Sequence, residues 1–354
     1  MQWLRRLVRN HYWRQDSLIY EVTPRCNLRC GHCYNIWKTP AGGEPGELPT
    51  AKALRLIDKA CRDARSIRLT FSGGEPCLRD DLEVLVRRAK KRNQDVNLIS
   101  NGVLLDENRV ASLVDAGVGL FELPLNSADR RMHDGMSGVE GSFDNVVKAA
   151  LAIARTGATL VFVFVGTKNN IDGWRRALEL GYALGGRSFL FNRYNAGGVH
   201  AGSPEALLPT LDQLRGALAV AEAYAAEYQV GIGASIAIQP CLVDTARYPH
   251  IGFGWCAAGT ASAYYTLDPL GNVRPCNHSQ LVLGNIFATR LSTMAKGEEM
   301  RRFMTAKPMV CSPCRLADTC QGGCKAAAEQ CYGDACLPEP FLAVNAEQMR
   351  PCLD

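Results

Sequence analysis

Six short apolar runs, at 18–22, 67–71, 96–99, 120–125, 159–165 and 188–191, alternate with five stretches of helical periodicity, at 51–64, 81–91, 107–116, 143–155 and 173–184. This alternation restricts the fold more than any other feature of the chain. Strands that follow one another through helices are expected to lie parallel in one sheet. Leu54, Ile57, Asp58 and Cys61 recur at helical spacing, as do Leu82, Leu85, Val86 and Ala89. Thr50 and Asp80 stand where the caps of two of these helices belong. The expected class is α/β, either an open doubly wound sheet or a partial barrel, and the spacing leaves both open. Pro40, Pro45 and Pro49 with their glycines read as a long loop.

Composition narrows the function. With 354 residues, 47% of them hydrophobic and 21% charged, the chain can bury a core and does not read as disordered. Apolar stretches such as 160–165 are far short of the ~20 residues of a membrane span, so no stable membrane insertion is expected. Arg5, Arg6, Arg9 and Arg14 interrupt any signal-peptide pattern. A net charge of +5 is too mild to argue for nucleic acid. Fifteen cysteines then need an explanation. A chain this long does not depend on disulfides, so metal or redox chemistry in a reducing, cytoplasmic compartment is expected.

The cysteines are segregated. Cys26, Cys30 and Cys33 lie within one short segment after the first strand, and no cysteine occurs between Cys77 and Cys241. A dense group then runs from Cys256 to Cys352. Three thiolates on one loop can hold a compact metal centre. A closed zinc site would need His32 as its fourth ligand, whereas a cubane iron–sulfur cluster would keep one iron open for a chelating small molecule.

The C-x3-C-x2-C spacing of Cys26, Cys30 and Cys33 after the first strand resembles the radical S-adenosylmethionine superfamily. The resemblance implies a 4Fe–4S cluster on these three cysteines and S-adenosylmethionine chelated at the unique iron. Its reductive cleavage would give a 5′-deoxyadenosyl radical. It also implies a partial (β/α)6 TIM-like barrel with the cluster at the C-terminal edge of the strands. His32 and Tyr34 would lie beside the cofactor. Gly73-Gly74-Glu75-Pro76, ending the second strand, resembles the family's GGEP motif, with Glu75 accepting from the methionyl ammonium. Ser100 and Asn101, ending the third strand, would line the pocket, and Arg193, ending the sixth, could reach it or form a salt bridge. At the fourth strand Pro124 and Asn126 depart from the family's ribose-binding pattern, and no ribose contact is expected from them.

The C-terminal cysteines resemble the SPASM domain, which holds two auxiliary Fe–S clusters. Cys256, Gly271 and Cys276 fit its hairpin, and Cys311, Cys314, Cys320 and Cys324 fit its C-x2-C-x5-C-x3-C run. The resemblance implies Cys256, Cys276 and Cys324 for the first auxiliary cluster, its fourth position being open or filled by Cys241. Cys311, Cys314 and Cys320 would hold the second, completed by Cys336, with Cys331 and Cys352 as rivals. Cys61 is expected in the core and Cys77 near the cofactor. The expected organisation is a basic amphipathic segment at 1–16 carrying Trp3, Leu4, Leu7 and Val8, a barrel at 17–224, a bridge at 225–250 and a SPASM domain at 251–354.

The activity implied by these resemblances is that of a radical enzyme that takes hydrogen from a peptide substrate and matures a ribosomally made precursor. Its implied partners are a flavodoxin- or ferredoxin-type reductant and a separate leader-binding protein. Tetrapyrrole side-chain chemistry, formylglycine formation on sulfatases, and a non-catalytic electron carrier or zinc scaffold are the alternatives. Against the formylglycine reading, Asn277 stands where such relatives carry an aspartate base, and His278 is the one nearby substitute.

Overall fold

The computed structural model describes residues 13–36, 46–260 and 262–350. The expected strands and helices form in order: β1 (Ser17–Glu21), α1 (Thr50–Ala64), β2 (Arg68–Ser72), α2 (Leu82–Lys91), β3 (Asp95–Ile99), α3 (Glu107–Ala116) and β4 (Val118–Pro124). Then come α4 (Arg130–Ser137), α5 (Ser142–Ala154), β5 (Thr159–Gly166), α6 (Trp174–Ala183), β6 (Ser188–Arg193) and α7 (Leu211–Tyr228). Periodicity did not single out α4 or α7. Strands β1 to β6 pair in parallel, each with the next, as an open partial barrel.

Alternation along these strands separates core from cavity. Leu18, Tyr20, Leu69, Phe71, Leu98, Phe121, Phe162, Phe164, Phe189 and Phe191 are buried on the face that meets the helices. Ile19, Thr70, Ile99, Glu122, Val163 and Leu190 point the other way and line a chamber. Cys61 belongs to the core, as expected.

Two expected caps are replaced. Helix α1 is preceded by Pro49, and the Thr50 hydroxyl bonds Asp81 instead. Asp81 rather than Asp80 occupies the N-cap position of α2, but its carboxylate makes no capping bond and is gripped by Arg79 through two bonds of 2.7 Å. Buried Arg79 also donates to the Val22 and Leu48 carbonyls, so its charge outcompetes a neutral cap.

The sheet continues at both edges. β7 (Gly231–Ala234) and β8 (Ile251–Phe253) extend it in parallel beyond β6, and β9 (Tyr264–Leu267) pairs parallel with β1. β10 (Asn272–Arg274) folds back on β9, and β11 (Gly284–Asn285) on β10. Asp268 Oδ1 accepts from the Leu270 and Asn272 amides at 2.8 Å, closing the expected hairpin around Gly271 at φ 88°. Arg274 forms a buried ion pair with Glu21, joining hairpin to barrel. The segment 1–12 with its amphipathic pattern, most of the proline-rich loop, and Cys352 lie outside the described residues.

Candidate active site

The segment after β1 crosses the C-terminal mouth of the barrel, pinned from two sides. On one, the Gly74 amide bonds the Thr23 carbonyl at 2.8 Å and the Glu75 amide bonds the Arg25 carbonyl at 2.7 Å. On the other, the Arg29 and Gly31 amides reach the Ser137 and Met136 carbonyls at the end of α4. This contact explains the two glycines: a Cβ on Gly74 would stand 2.0 Å from the Arg25 carbonyl oxygen, and one on Gly73, at φ 135°, 2.5 Å from that of Thr23.

The chamber beneath has a volume of about 540 Å³. Its wall carries Cys26, Cys30, His32, Cys33, Tyr34, Gly73, Gly74, Ser100, Asn101 and Arg193, and also Cys256, Cys276 and Cys324. The two cysteine groups, remote in sequence, therefore face one space. Asn101 Nδ2 donates to Asn27 Oδ1 at 2.7 Å and lies 3.9 Å from Cys26 Sγ, which also receives the Leu28 amide at 3.5 Å. Asn195 Nδ2 donates to Cys324 Sγ at 3.1 Å. Burial, then the neighbouring Cys324 and Cys256, pushes the Cys276 thiol up to about 12. Thiolates crowded this way call for a cationic centre among them. Among the described residues no three His, Cys, Asp or Glu side chains converge on a single ion. The sulfurs instead line a space wide enough for a polynuclear group, so the donor set fits iron–sulfur clusters.

Several expected site residues stand elsewhere. Glu75 is fully buried behind the wall: Oε1 accepts from the Cys77 amide at 3.0 Å and the Ser100 hydroxyl at 2.9 Å, and Oε2 from the Asn101 amide at 2.7 Å. It ties the β2 and β3 loops together and is not among the residues that line the chamber. Pro76 and Cys77 are buried beside it, off the chamber wall. Arg193 reaches the chamber, but its guanidinium is engaged by Glu339 in a buried ion pair and by the Ala237 carbonyl. His278 is buried. Its Nε2 meets the Ala196 carbonyl at 3.1 Å, and burial holds its pKa down to about 4. Asn277 donates to the Tyr34 hydroxyl at 2.6 Å, and the Tyr34 and His278 rings lie 5.0 Å apart. Asn126 accepts from the Val165 amide at 2.9 Å.

The second cysteine group splits. Cys311, Cys314 and Cys320 line a separate cavity of about 290 Å³. Cys336 is exposed and off that wall, its amide held by Asp334, which corrects the expectation that it completes this set. Cys241 lines this second cavity and not the first chamber, so it does not fill the fourth position there.

Sequence reasoning missed Glu122. It is the one carboxylate among the described residues of the chamber wall, and burial raises its pKa to about 7 against the opposing charge of Arg68. A charged residue at an inward position of an otherwise apolar strand was the available signal. Trp255, Tyr264 and Lys325 also line the chamber without having been anticipated.

Comparison with known proteins agrees with this geometry. Residues 20–181 match the model of the Radical SAM superfamily, and residues 256–321 match SPASM, an iron-sulfur cluster-binding domain. The PqqA peptide cyclase of Granulibacter bethesdensis is 29% identical over 336 residues, 93% of this chain and 87% of that protein. That of Rhodopseudomonas palustris is 27% identical over 337 residues, again 93% and 87%. Among solved structures, Streptococcus suis SuiB bound to precursor peptide SuiA superposes with a TM-score of 0.73 at 16% identity, covering 96% of this chain and 78% of that one. The anSMEcpe structure with bound AdoMet gives 0.73 at 17%, covering 95% of each. At these identities the structural likeness speaks for the fold.

Proposed function

We propose that this chain, which belongs to the radical S-adenosylmethionine superfamily and carries a SPASM domain, matures a precursor peptide by an oxidative modification, a cross-link within the peptide being the form that the name of its PqqA peptide cyclase relatives suggests. The observation that carries the proposal is the shared chamber, in which Cys26, Cys30 and Cys33 face Cys256, Cys276 and Cys324. The PqqA peptide cyclases, similar along nearly the whole chain, are named for cyclising a peptide.

With an iron–sulfur cluster and S-adenosylmethionine bound, the chamber would be supplied with radical chemistry able to take a hydrogen atom from the peptide. The protein's part is position and environment. Cys26, Cys30 and Cys33 would hold the radical cluster, with Gly73, Gly74, Ser100, Asn101, His32 and Tyr34 around the cofactor. Glu75 and Arg193 act at one remove: one holds the β2 and β3 loops in register, the other locks the end of β6. The inward apolar residues Ile19, Ile99, Val163 and Leu190 exclude water from a reactive intermediate. Cys256, Cys276 and Cys324 would hold the first auxiliary cluster within reach of the same substrate. Asn277, held against the Tyr34 hydroxyl, cannot act as a base, which disfavours formylglycine formation.

A barrel at 17–224, a bridge at 225–250 and a cluster domain at 251–354 remain the proposed organisation, although β7 and β9 make one sheet of all three. No helix among the described residues is long and apolar enough to cross a membrane. A cytoplasmic setting, a flavodoxin- or ferredoxin-type reductant and a separate leader-binding protein complete the reading. Anaerobic reconstitution tests it. The Cys26/Cys30/Cys33→Ala protein should lose about four irons, keep its auxiliary clusters and form no 5′-deoxyadenosine from S-adenosylmethionine and dithionite. Wild-type turnover by that protein would refute the assignment.

A further inference from the structure

We propose that Cys241 supplies the fourth thiolate of the second auxiliary centre, closing a site of four thiolates with Cys311, Cys314 and Cys320. The inference rests on the iron–sulfur reading above and deepens it, because the cysteine comes from the segment between β7 and β8, ahead of the whole C-terminal cysteine pattern.

Cys241 stands on the wall of the 290 Å³ cavity together with Cys311, Cys314 and Cys320. No other cysteine of the described residues lies on that wall. Cys336 is exposed, and half-buried Cys331 packs against the main hydrophobic core. The position of Cys241 is built. Gln239 opens a tight turn, its carbonyl accepting from the Leu242 and Val243 amides at 3.0 Å. The Gln239 side chain donates to Glu339, the buried partner of Arg193, which anchors the turn to the end of β6. From the other side the Arg350 amide bonds the Cys241 carbonyl at 2.8 Å.

Of the other three cysteines of this cavity, Cys311 and Cys320 are buried and Cys314 half-buried. The Cys314 amide bonds the Cys311 carbonyl at 3.1 Å, and the Cys320 amide bonds that of Leu316 at 2.8 Å. Two short turns therefore bring three thiols to the cavity that Cys241 also lines. Sulfurs bound to a single zinc through bonds of about 2.3 Å would converge closely, and no such convergence is present among the described residues. Leu316, Leu342, Ala346 and Met349 complete an apolar shell, the setting in which a cluster is shielded from solvent. With four thiolates this centre has no iron left for substrate, so its part is electron transfer. With Cys241 assigned here, the three thiols Cys256, Cys276 and Cys324 would leave one position of the first auxiliary cluster without a cysteine.

The test uses full-length protein in the Cys26/Cys30/Cys33→Ala background, reconstituted anaerobically, so that only auxiliary iron is counted. Cys241→Ala, Cys241→Ser, Cys336→Ala, Cys352→Ala and Cys311→Ala are compared by iron analysis and electron paramagnetic resonance of the reduced and oxidised protein. The parent should hold about eight irons. Cys241→Ala should lose between about one and four of them, as a three-iron signal or an absent centre, and Cys336→Ala none. Cys241→Ser should keep the iron with an altered signal, and circular dichroism melts matching the parent would exclude simple unfolding. An iron count and spectrum in Cys241→Ala equal to the parent, with the loss appearing in Cys352→Ala or Cys336→Ala, would overturn the assignment. A parent holding only about four irons, untouched by Cys311→Ala, would instead remove the second centre itself.

Discussion

The buried pair between Arg193 and Glu339 gives the sharpest prediction about how the chamber is held together. Both side chains are almost inaccessible, at 0% and 1% exposure. Glu339 also accepts from Gln239 and from the Phe341 amide, and Arg193 lies 4.7 Å over the Phe341 ring. Replacing Glu339 with Ala leaves a guanidinium buried without its counter-charge, a situation that costs about 3–5 kcal/mol. At about 2.1 cal/mol/K per residue, unfolding 354 residues has an entropy of roughly 0.7 kcal/mol/K, so the melting temperature should fall by about 4–7 °C. Circular dichroism melts of anaerobically reconstituted Glu339→Ala, Glu339→Gln and Arg193→Met/Glu339→Leu protein measure it. Glu339→Gln keeps a hydrogen-bonding group and should lose less. The double variant removes both charges and should recover most of the loss. A Glu339→Ala melt within 1 °C of wild type, or a double variant that falls at least as far as Glu339→Ala, would refute the coupling.

Gly74→Ala should destabilise the fold by about 1–3 kcal/mol, because the 2.0 Å approach to the Arg25 carbonyl is backbone to side chain with no rotamer to relieve it; iron bound at the first cysteine set should drop with it. Glu122 has its pKa raised to about 7, so its stabilising contribution is complete below about 4.5 and disappears as pH rises through 7. Wild-type stability should therefore decline across that window by up to about 3 kcal/mol more than that of Glu122→Gln, and parallel pH profiles of the two would contradict the assignment. Asn195→Leu removes a donor to Cys324 Sγ and should lower the reduction potential of the first auxiliary centre in a redox titration, leaving iron content unchanged.

Much of the barrel was legible because its signals are local. Each of the six strands alternates or runs apolar over a few residues, and each intervening helix repeats its apolar positions at 3–4 residues. Cys26, Cys30 and Cys33 needed nothing beyond their own loop to be recognised as one site. Glu75 shows where local reading stops: its motif points to a cofactor contact, but three donors from the β2 and β3 loops hold it behind the wall. His278 stands in the sequence only as a substitute base; its burial against Ala196 follows from packing and leaves no mark on its neighbours in sequence. The N-cap position of α2 fell to Asp81, one residue past the expected Asp80, and Arg79 takes the Asp81 carboxylate away from the helix amides.

By itself, then, the sequence determined the parallel α/β order, the three-cysteine loop and the hairpin closed by Asp268 and Gly271, since each depends on interactions within a few residues or one βα unit. Tertiary structure decided which distant thiols share a space. β9 docks on β1 and so turns Cys276 toward the chamber that holds Cys26. The turn after β7 is anchored by Glu339 and Arg350, and Cys241 rather than Cys336 thereby lines the cavity of Cys311 and Cys320. A cluster needs its sulfurs converging in space, and convergence between segments dozens of residues apart is a property of the packed fold that no spacing along the chain encodes.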